Sequence, residues 1–381
     1  MPGLHRDIDP DGLQEFSVVF TDRSLNHMSA KFQIVMRNVS DLLREVYGAH
    51  AVTIVPGGGT YAMEAVARQF ALKRRALVLR NGWFSFRWSQ IFETGDITSG
   101  TTVLKARQIG NSTQSPFQPP EISEVVTAIK NERPEIVFAP HVETASGIIL
   151  PDKYITAIAN AAHEVGALMV LDCIASGAVW VNMEITGVDV LISAPQKGWS
   201  ASPSAGLVMM SERASQVLET TTSNSFALDL KKWRAIAAAY ENGGYAYHAT
   251  MPTDAILGLR NAMIETKAMG FDKASQAQWD LGNAVRAILK AKGVQSVAAD
   301  GYGAPGVVVC YTQDPEVQNG KRFAALGLQT AAGVPLQVGE GAEFRTFRIG
   351  LFGLDKLSDI GGTVSRLEPA IAAIFAEHQM P

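Results

Sequence analysis

Residues 166–198 decide the fold, and they run GALMVLDCIASGAVWVNMEITGVDVLISAPQKG. Two apolar runs in this stretch, Leu168–Asp172 and Val188–Ser193, are almost continuous, which is typical of strands buried on both faces. Five similar runs lie elsewhere in the chain: Ala51–Val55, Ala76–Leu79, Thr101–Leu104, Glu135–Ala139 and Gly206–Ser211. Because helix-like segments separate most of these runs, the sequence predicts a seven-stranded, mostly parallel sheet in an α/β domain.

The helical segments and a change of pattern predict the domain organisation. Helices are expected over Thr60–Leu72, Glu121–Asn131 and Asp152–Val165. After about residue 255, a long helical region over Ile256–Lys292 precedes strand candidates Val294–Ala298, Val307–Tyr311 and Thr346–Gly350 and helical segments Lys321–Leu328 and Asp355–Ala376. We therefore predict an N-terminal segment over residues 1–20, a large α/β domain over residues 21–260 and a smaller C-terminal α+β domain over residues 261–381.

Composition excludes several classes of protein. The 381 residues are 47% hydrophobic and 18% charged, which excludes disorder as the dominant state. The net charge of −4 argues against nucleic-acid binding, and two cysteines exclude a disulfide framework and fit a reducing compartment. No apolar run is long enough to cross a bilayer, and the acidic start of the chain is unlike a signal peptide. These features predict a cytoplasmic protein.

Three elements of the sequence carry candidate chemistry. The glycine-rich run Pro56–Thr60 stands between a strand and a helix, and it is either a phosphate cradle or a plain turn. Asp172 ends a buried strand, where open α/β sheets bind ligands, although a helix cap or an ion pair is the alternative. Lys197 follows the next strand, where desolvation would make its amine nucleophilic, although most lysines are solvated surface groups. The glycine pattern of residues 301–306 leads into a strand and is interpreted as a turn.

Together these elements suit pyridoxal 5′-phosphate (PLP). This cofactor needs a lysine for a Schiff base, an acid beside its pyridine nitrogen and a site for its phosphate. Asp172 and Lys197 are separated by one further strand, so both side chains can meet at one sheet edge.

At this point the chain resembles class V, fold type I PLP-dependent aminotransferases, and most closely their alanine–glyoxylate and serine–glyoxylate branch. The resemblance runs from about residue 30 to the C-terminus. It rests on seven segments in order: GGGTYAME, RNGWFSFR, HVETASGIILP, LDCIAS, SAPQKG, YHATMP and FRIGLFG. It implies a homodimer with a shared active site, small amino acid and oxo acid substrates, and no metal ion.

The resemblance also implies roles for individual residues. Lys197 would carry the cofactor as a Schiff base, and Asp172 would contact the pyridine nitrogen. The phosphate would be bound by Gly58, Gly59 and Thr60, and from the neighbouring subunit by Tyr247 and Thr250. Phe84 would stack on the ring, opposite Ile174, with Thr144 beside the ring oxygen and Gln196 next to the lysine. Arg348 would bind the substrate carboxylate, with Arg345 as the competing candidate.

The expected reaction is transamination between alanine or serine and glyoxylate or pyruvate. Alternatives are a 2-aminoethylphosphonate–pyruvate aminotransferase, a cysteine desulfurase, a nucleotide-binding oxidoreductase and a non-catalytic dimeric scaffold. Cys173 and Cys310 are expected to be buried, which argues against the desulfurase. The family's glycine- and proline-rich N-terminal segment is not recognisable here, so Arg23, His27 and Arg87 stay unassigned basic residues: they either meet a second anionic group or are surface or ion-pair residues.

Overall fold

The computed structural model describes residues 8–10 and 12–376. Part of the predicted N-terminal segment, residues 1–7 and 11, therefore lies outside the described residues, as do residues 377–381. The strands in chain order are β1 Ala51–Pro56, β2 Arg75–Arg80, β3 Gly100–Lys105, β4 Arg107–Gln108, β5 Phe117–Gln118, β6 Ile136–Pro140, β7 Val142–Glu143, β8 Ile148–Ile149, β9 Leu168–Asp172, β10 Val190–Ser193, β11 Ala205–Met210, β12 Val307–Tyr311, β13 Ala331–Ala332 and β14 Thr346–Gly350.

The helices surround these strands. They are α1 Ala30–Tyr47, α2 Gly59–Phe70, α3 Trp83–Gly95, α4 Ile122–Glu132, α5 Asp152–Glu164, α6 Met183–Thr186, α7 Glu212–Thr220, α8 Leu230–Glu241, α9 Thr253–Met269, α10 Phe271–Ala291, α11 Pro315–Gln318, α12 Lys321–Ala325, α13 Leu354–Ser358 and α14 Ile360–Ile374. None of the helices within the described ranges is long and apolar enough to span a membrane.

A seven-stranded sheet forms the centre of the larger part of the molecule. Its strand order is β1-β11-β10-β9-β6-β2-β3, and only β11 runs antiparallel to its two neighbours. The prediction of a mostly parallel, seven-stranded sheet is confirmed, because all seven predicted runs are the strands of this sheet. Six of them are buried, whereas the edge strand β3 is exposed or half-buried along its length. The parallel register aligns Ile192 with Asp172 and Pro140 with Asp172, so the carboxyl ends of β6, β9 and β10 meet at one edge.

The C-terminal part has its own sheet and its own core. Strands β12, β14 and β13 form a three-stranded antiparallel sheet. Two of them, β12 and β14, match the strands predicted over Val307–Tyr311 and Thr346–Gly350. The prediction of a strand over Val294–Ala298 is wrong. This segment makes only isolated bridges, Ser296 to Cys310 and Ala298 to Phe117, because its two ends pair with different parts of the chain.

The long helical region is two helices instead of one. Gly270 separates α9 from α10 with a φ of 94°, a conformation that favours glycine. Ile256 and Met263 of α9 pack in the core of the large sheet, whereas Leu281 of α10 packs in the C-terminal core. The change of core at Gly270 falls ten residues after the predicted domain boundary, which stays a prediction.

Candidate active site

Asp172 and Lys197 lie at the carboxyl edge of the central sheet and line one cavity. Asp172 is the last residue of β9, and Lys197 follows the end of β10 by a short turn. The Asp172 carboxylate is 6% exposed, and its Oδ1 accepts a hydrogen bond of 2.9 Å from the backbone N–H of Ile174. The sheet register therefore brings the two residues together, as the sequence predicted.

The electrostatic environment of this pair is set mainly by loss of water. Burial, reinforced by the nearby Glu143 carboxylate, raises the pKa of Asp172 to about 7, while the Ile174 N–H and the cations Lys197 and Arg87 oppose this shift. Burial lowers the pKa of Lys197; the Asp172 charge opposes this, and the positive charges of Arg348 and Arg87 reinforce it. A lysine amine in this setting releases its proton more readily than a surface lysine does.

A helix that starts with glycine forms one wall of the cavity. Helix α2 begins at Gly59 after Gly58, and no side chain caps its N-terminus, so its first N–H groups can meet an anion. A Cβ on Gly59 would lie 2.5 Å from Cδ1 of Ile174, so any larger residue at this position would force the Ile174 side chain to shift. Gly57 has a φ of 119°, which also favours glycine. The geometry of the run thus supports a cradle more than a plain turn.

Phe84 and Thr144 complete the cavity with Gln196. Phe84 lies in the first turn of α3, and its backbone N–H donates to Glu143 Oε1 at 3.2 Å. Thr144 lies in the tight turn between β7 and β8. These three predicted residues are brought together with Asp172 and Lys197.

Arg348 lies on β14, with the carbon of its guanidinium group 5.8 Å from the centre of the Phe84 ring. Its Nε donates to the Ala332 carbonyl at 2.8 Å, which orients the side chain. Arg345, the competing candidate, instead donates to the carbonyl of Gln313 at 2.7 Å. The geometry favours Arg348 at the site.

Tyr247 and Thr250 do not line this cavity. Their hydroxyl groups lie 3.0 Å apart, and the Tyr247 side chain is 53% exposed. Their predicted role is toward a second subunit, and it stays a prediction.

Sequence reasoning missed Glu143 as a residue of the site and gave Arg87 no role. Glu143 is fully buried and accepts hydrogen bonds from the backbone N–H and the hydroxyl of Ser85, at 2.8 and 2.7 Å. Glu143 lies directly before Thr144 in the segment HVETASG. Its partner Ser85 lies 58 residues earlier, and nothing in the sequence indicates that the two residues meet. Arg87 lines the cavity.

Both cysteines are buried, as predicted. Burial raises the pKa of the Cys173 thiol well above its usual value and that of Cys310 to about 12. Neither has the exposed, thiolate-forming environment of a reactive cysteine.

Comparison with known proteins agrees with the fold. The family model for class-V aminotransferases matches residues 14–313. The chain is 28% identical over 358 residues to the small subunit of a soluble hydrogenase of Synechococcus sp., covering 92% of this chain and 88% of the relative. It is 27% identical over 361 residues to the 2-aminoethylphosphonate–pyruvate transaminase of Paraburkholderia phymatum, covering 91% and 92%.

The fold has close counterparts among solved structures. The alanine–glyoxylate aminotransferase of Nostoc sp. superposes with a TM-score of 0.75 at 23% identity, over 91% of this chain and 88% of that chain. At this identity the superposition shows the fold, which is that of fold type I PLP-dependent transferases. The family match extends over far more than half of the sequence. The chain therefore belongs to the class-V aminotransferases, which are PLP-dependent enzymes.

Proposed function

We propose that this enzyme transfers an amino group between alanine or serine and glyoxylate or pyruvate, with Lys197 and Asp172 as its catalytic residues. One observation carries the proposal: a buried carboxylate and a desolvated lysine line the same cavity as the N-terminus of a glycine-initiated helix. This combination matches the three chemical needs of PLP.

The residues of the cavity fit this cofactor. Gly58, Gly59 and Thr60 at the start of α2 would hold the phosphate, since no side chain caps this helix N-terminus and its first N–H groups can donate to an anion. Phe84 and Ile174 both line the cavity and would confine the ring between them, with Thr144 and Gln196 at its rim. When bound, PLP supplies a pyridine ring that withdraws electrons from the substrate's α-carbon.

Asp172 and Lys197 would each act on a different proton. The Asp172 carboxylate would hold a proton at the ring nitrogen, because a cation beside it removes the cost of burying its charge. Lys197 would first anchor the cofactor. Once released by the amino substrate, its neutral amine would take the proton from the α-carbon, a step that its lowered pKa favours.

Arg348 would bind the substrate's α-carboxylate. A guanidinium group pairs with a carboxylate through two parallel hydrogen bonds, and the hydrogen bond to Ala332 leaves other N–H groups of Arg348 for this purpose. We further propose a homodimer in which Tyr247 and Thr250 reach the phosphate in the neighbouring subunit.

The absorbance spectrum of the purified enzyme tests the catalytic assignment. A visible band from bound PLP is expected in the wild type and in Lys153→Ala, which changes an exposed lysine, and is expected to be absent in Lys197→Ala. Alanine or serine should bleach the band, and glyoxylate or pyruvate should restore it. A wild type without the band after PLP is added would refute the proposal, and a band that persists in Lys197→Ala would refute the anchor.

A second candidate is transamination of 2-aminoethylphosphonate with pyruvate. It is favoured by the relative from Paraburkholderia phymatum, which matches nearly the whole chain. The same spectra separate the two: this candidate requires 2-aminoethylphosphonate to bleach the band faster than alanine and serine.

A further inference from the structure

Arg87 is a cation of the cavity that the proposed mechanism does not use. It lies on α3 three residues after Phe84, so both side chains leave the same face of the helix. Its guanidinium carbon is 4.8 Å from the centre of the Phe84 ring, and its Nη1 is 3.0 Å from the hydroxyl oxygen of Thr60. It therefore links the ring wall of the cavity to the first turn of α2.

The contact with Thr60 has a defined direction. A guanidinium group has only donors, so the Thr60 hydroxyl oxygen must be the acceptor. The hydroxyl proton of Thr60 is then free to point at another acceptor. Because Thr60 is the second residue of α2, that proton and the uncapped N–H groups of the helix can converge on one anion.

The charge of Arg87 also lacks a local counterion. No carboxylate within the described ranges forms a salt bridge with it. Its positive charge reaches both Asp172 and Lys197, which places it close to the reacting centre. A cation at the wall of a cavity, with no ion-pair partner among the described residues, is suited to an anionic ligand.

We propose that Arg87 sets the affinity of the site for the cofactor's phosphate monoester, by fixing Thr60 as a hydrogen-bond donor and by adding a positive charge beside the helix N-terminus. This inference rests on the proposed function, because it takes the start of α2 as the phosphate cradle. The rival assignment is that Arg87 binds a second anionic group of the substrate. The contact with Thr60 favours the phosphate.

The experiment compares PLP with pyridoxal, which has the same ring and aldehyde but no phosphate. Full-length enzyme freed of cofactor is titrated with each compound, and the dissociation constants are read from the visible band. Arg87→Gln should weaken PLP binding by about tenfold or more, since a hydrogen bond to a charged group is lost, and should leave pyridoxal binding within about twofold. Arg87→Lys should recover part of the loss, because the charge is retained.

Two further variants test how Arg87 acts. Thr60→Val should also weaken PLP binding, and the double variant should be little worse than Arg87→Gln alone, because the two side chains act through one contact. Arg345→Gln is the matched control, since Arg345 hydrogen-bonds elsewhere, and it should change neither constant. Inorganic phosphate should compete with PLP in the wild type more strongly than in Arg87→Gln.

Three results would overturn the inference. Equal loss of PLP and pyridoxal binding in Arg87→Gln would make Arg87 a structural residue. Unchanged PLP affinity with a raised KM for aspartate or 2-aminoethylphosphonate would assign it to the substrate. Additive effects of Arg87→Gln and Thr60→Val would refute action through Thr60. A wild type that binds no PLP would refute the proposed function instead, so the two failures are distinguishable.

Discussion

Replacement of Asp172 by asparagine in the cofactor-free enzyme tests the electrostatics of the site directly. The folded carboxyl keeps its proton up to a pKa of about 7, whereas the usual value is 3.8. Between these two pH values the unfolded chain binds fewer protons at this position than the folded chain does. The free energy of unfolding of the wild type must therefore fall as the pH rises through this window.

The size of this effect follows from the pKa shift. The interval from pH 5 to pH 7 covers roughly two pH units of this window. At 1.36 kcal/mol for each unit, the free energy of unfolding of the wild type changes by about 3 kcal/mol over this interval. An asparagine side chain has nearly the same shape as that of aspartate and carries no titrating proton. The stability of Asp172→Asn relative to the wild type should therefore rise by about 3 kcal/mol between pH 5 and pH 8.

Urea unfolding of both proteins, with refolding checked, gives this difference at each pH. Asp300→Asn is the matched control, because Asp300 is an exposed aspartate, and its stability relative to the wild type should show no comparable trend. A difference between Asp172→Asn and the wild type that stays constant from pH 5 to pH 8 would refute the reasoning. It would mean that the attraction of Lys197 already keeps Asp172 ionised in the cofactor-free enzyme.

Two further predictions use matched pairs of positions. Gly59→Ala should weaken PLP binding and lower the free energy of unfolding by about 1–3 kcal/mol, because its Cβ would lie 2.5 Å from Ile174. Gly58→Ala adds a Cβ with no described atom within 4 Å, so it should lower the free energy of unfolding by no more than about 1 kcal/mol. If PLP titration and urea unfolding show equal effects for the two variants, the packing argument is contradicted. Arg348→Lys should raise the KM for amino donors about tenfold through loss of bidentate pairing, with PLP affinity unchanged. Arg345→Lys should leave that KM unchanged, and steady-state kinetics in which the two variants behave alike would contradict the assignment.

The central sheet was predictable because most of its strands are buried on both faces. Such strands leave continuous apolar runs, and all seven runs were found within one or two residues of their observed ends. Helix α1 was not predicted, although its buried residues Phe32, Val35, Met36 and Val39 follow helical spacing. Its signal was in the sequence, including Ser29, whose side chain accepts from the N–H of Phe32.

The pairing of side chains across the site could not be predicted from spacing alone. Asp172 and Lys197 were identifiable because each ends or follows a strand, and parallel strands share a carboxyl edge. Glu143 gave no such signal. Its partners, Phe84 and Ser85, lie in another connection of the sheet, and only the fold shows that a buried carboxylate holds the N-terminus of α3. The strand predicted over Val294–Ala298 was wrong for a related reason. An apolar run does not reveal whether one partner strand is available along its whole length.

The charged groups around the cavity make an anionic ligand its expected occupant. Arg87 and Lys197 line the cavity with Asp172, and the charges of Arg348 and Glu143 also act on the pKa of Lys197. Glu143 already has four hydrogen-bond donors, three of them backbone N–H groups, so it needs none of the cations as a direct partner. With Asp172 protonated, as it is below its pKa of about 7, the three cations face the single negative charge of Glu143, which leaves two positive charges in excess. A phosphate beside one arginine and a carboxylate beside the other would balance this excess, and a ligand with one anionic group would leave one guanidinium partly buried without a counterion.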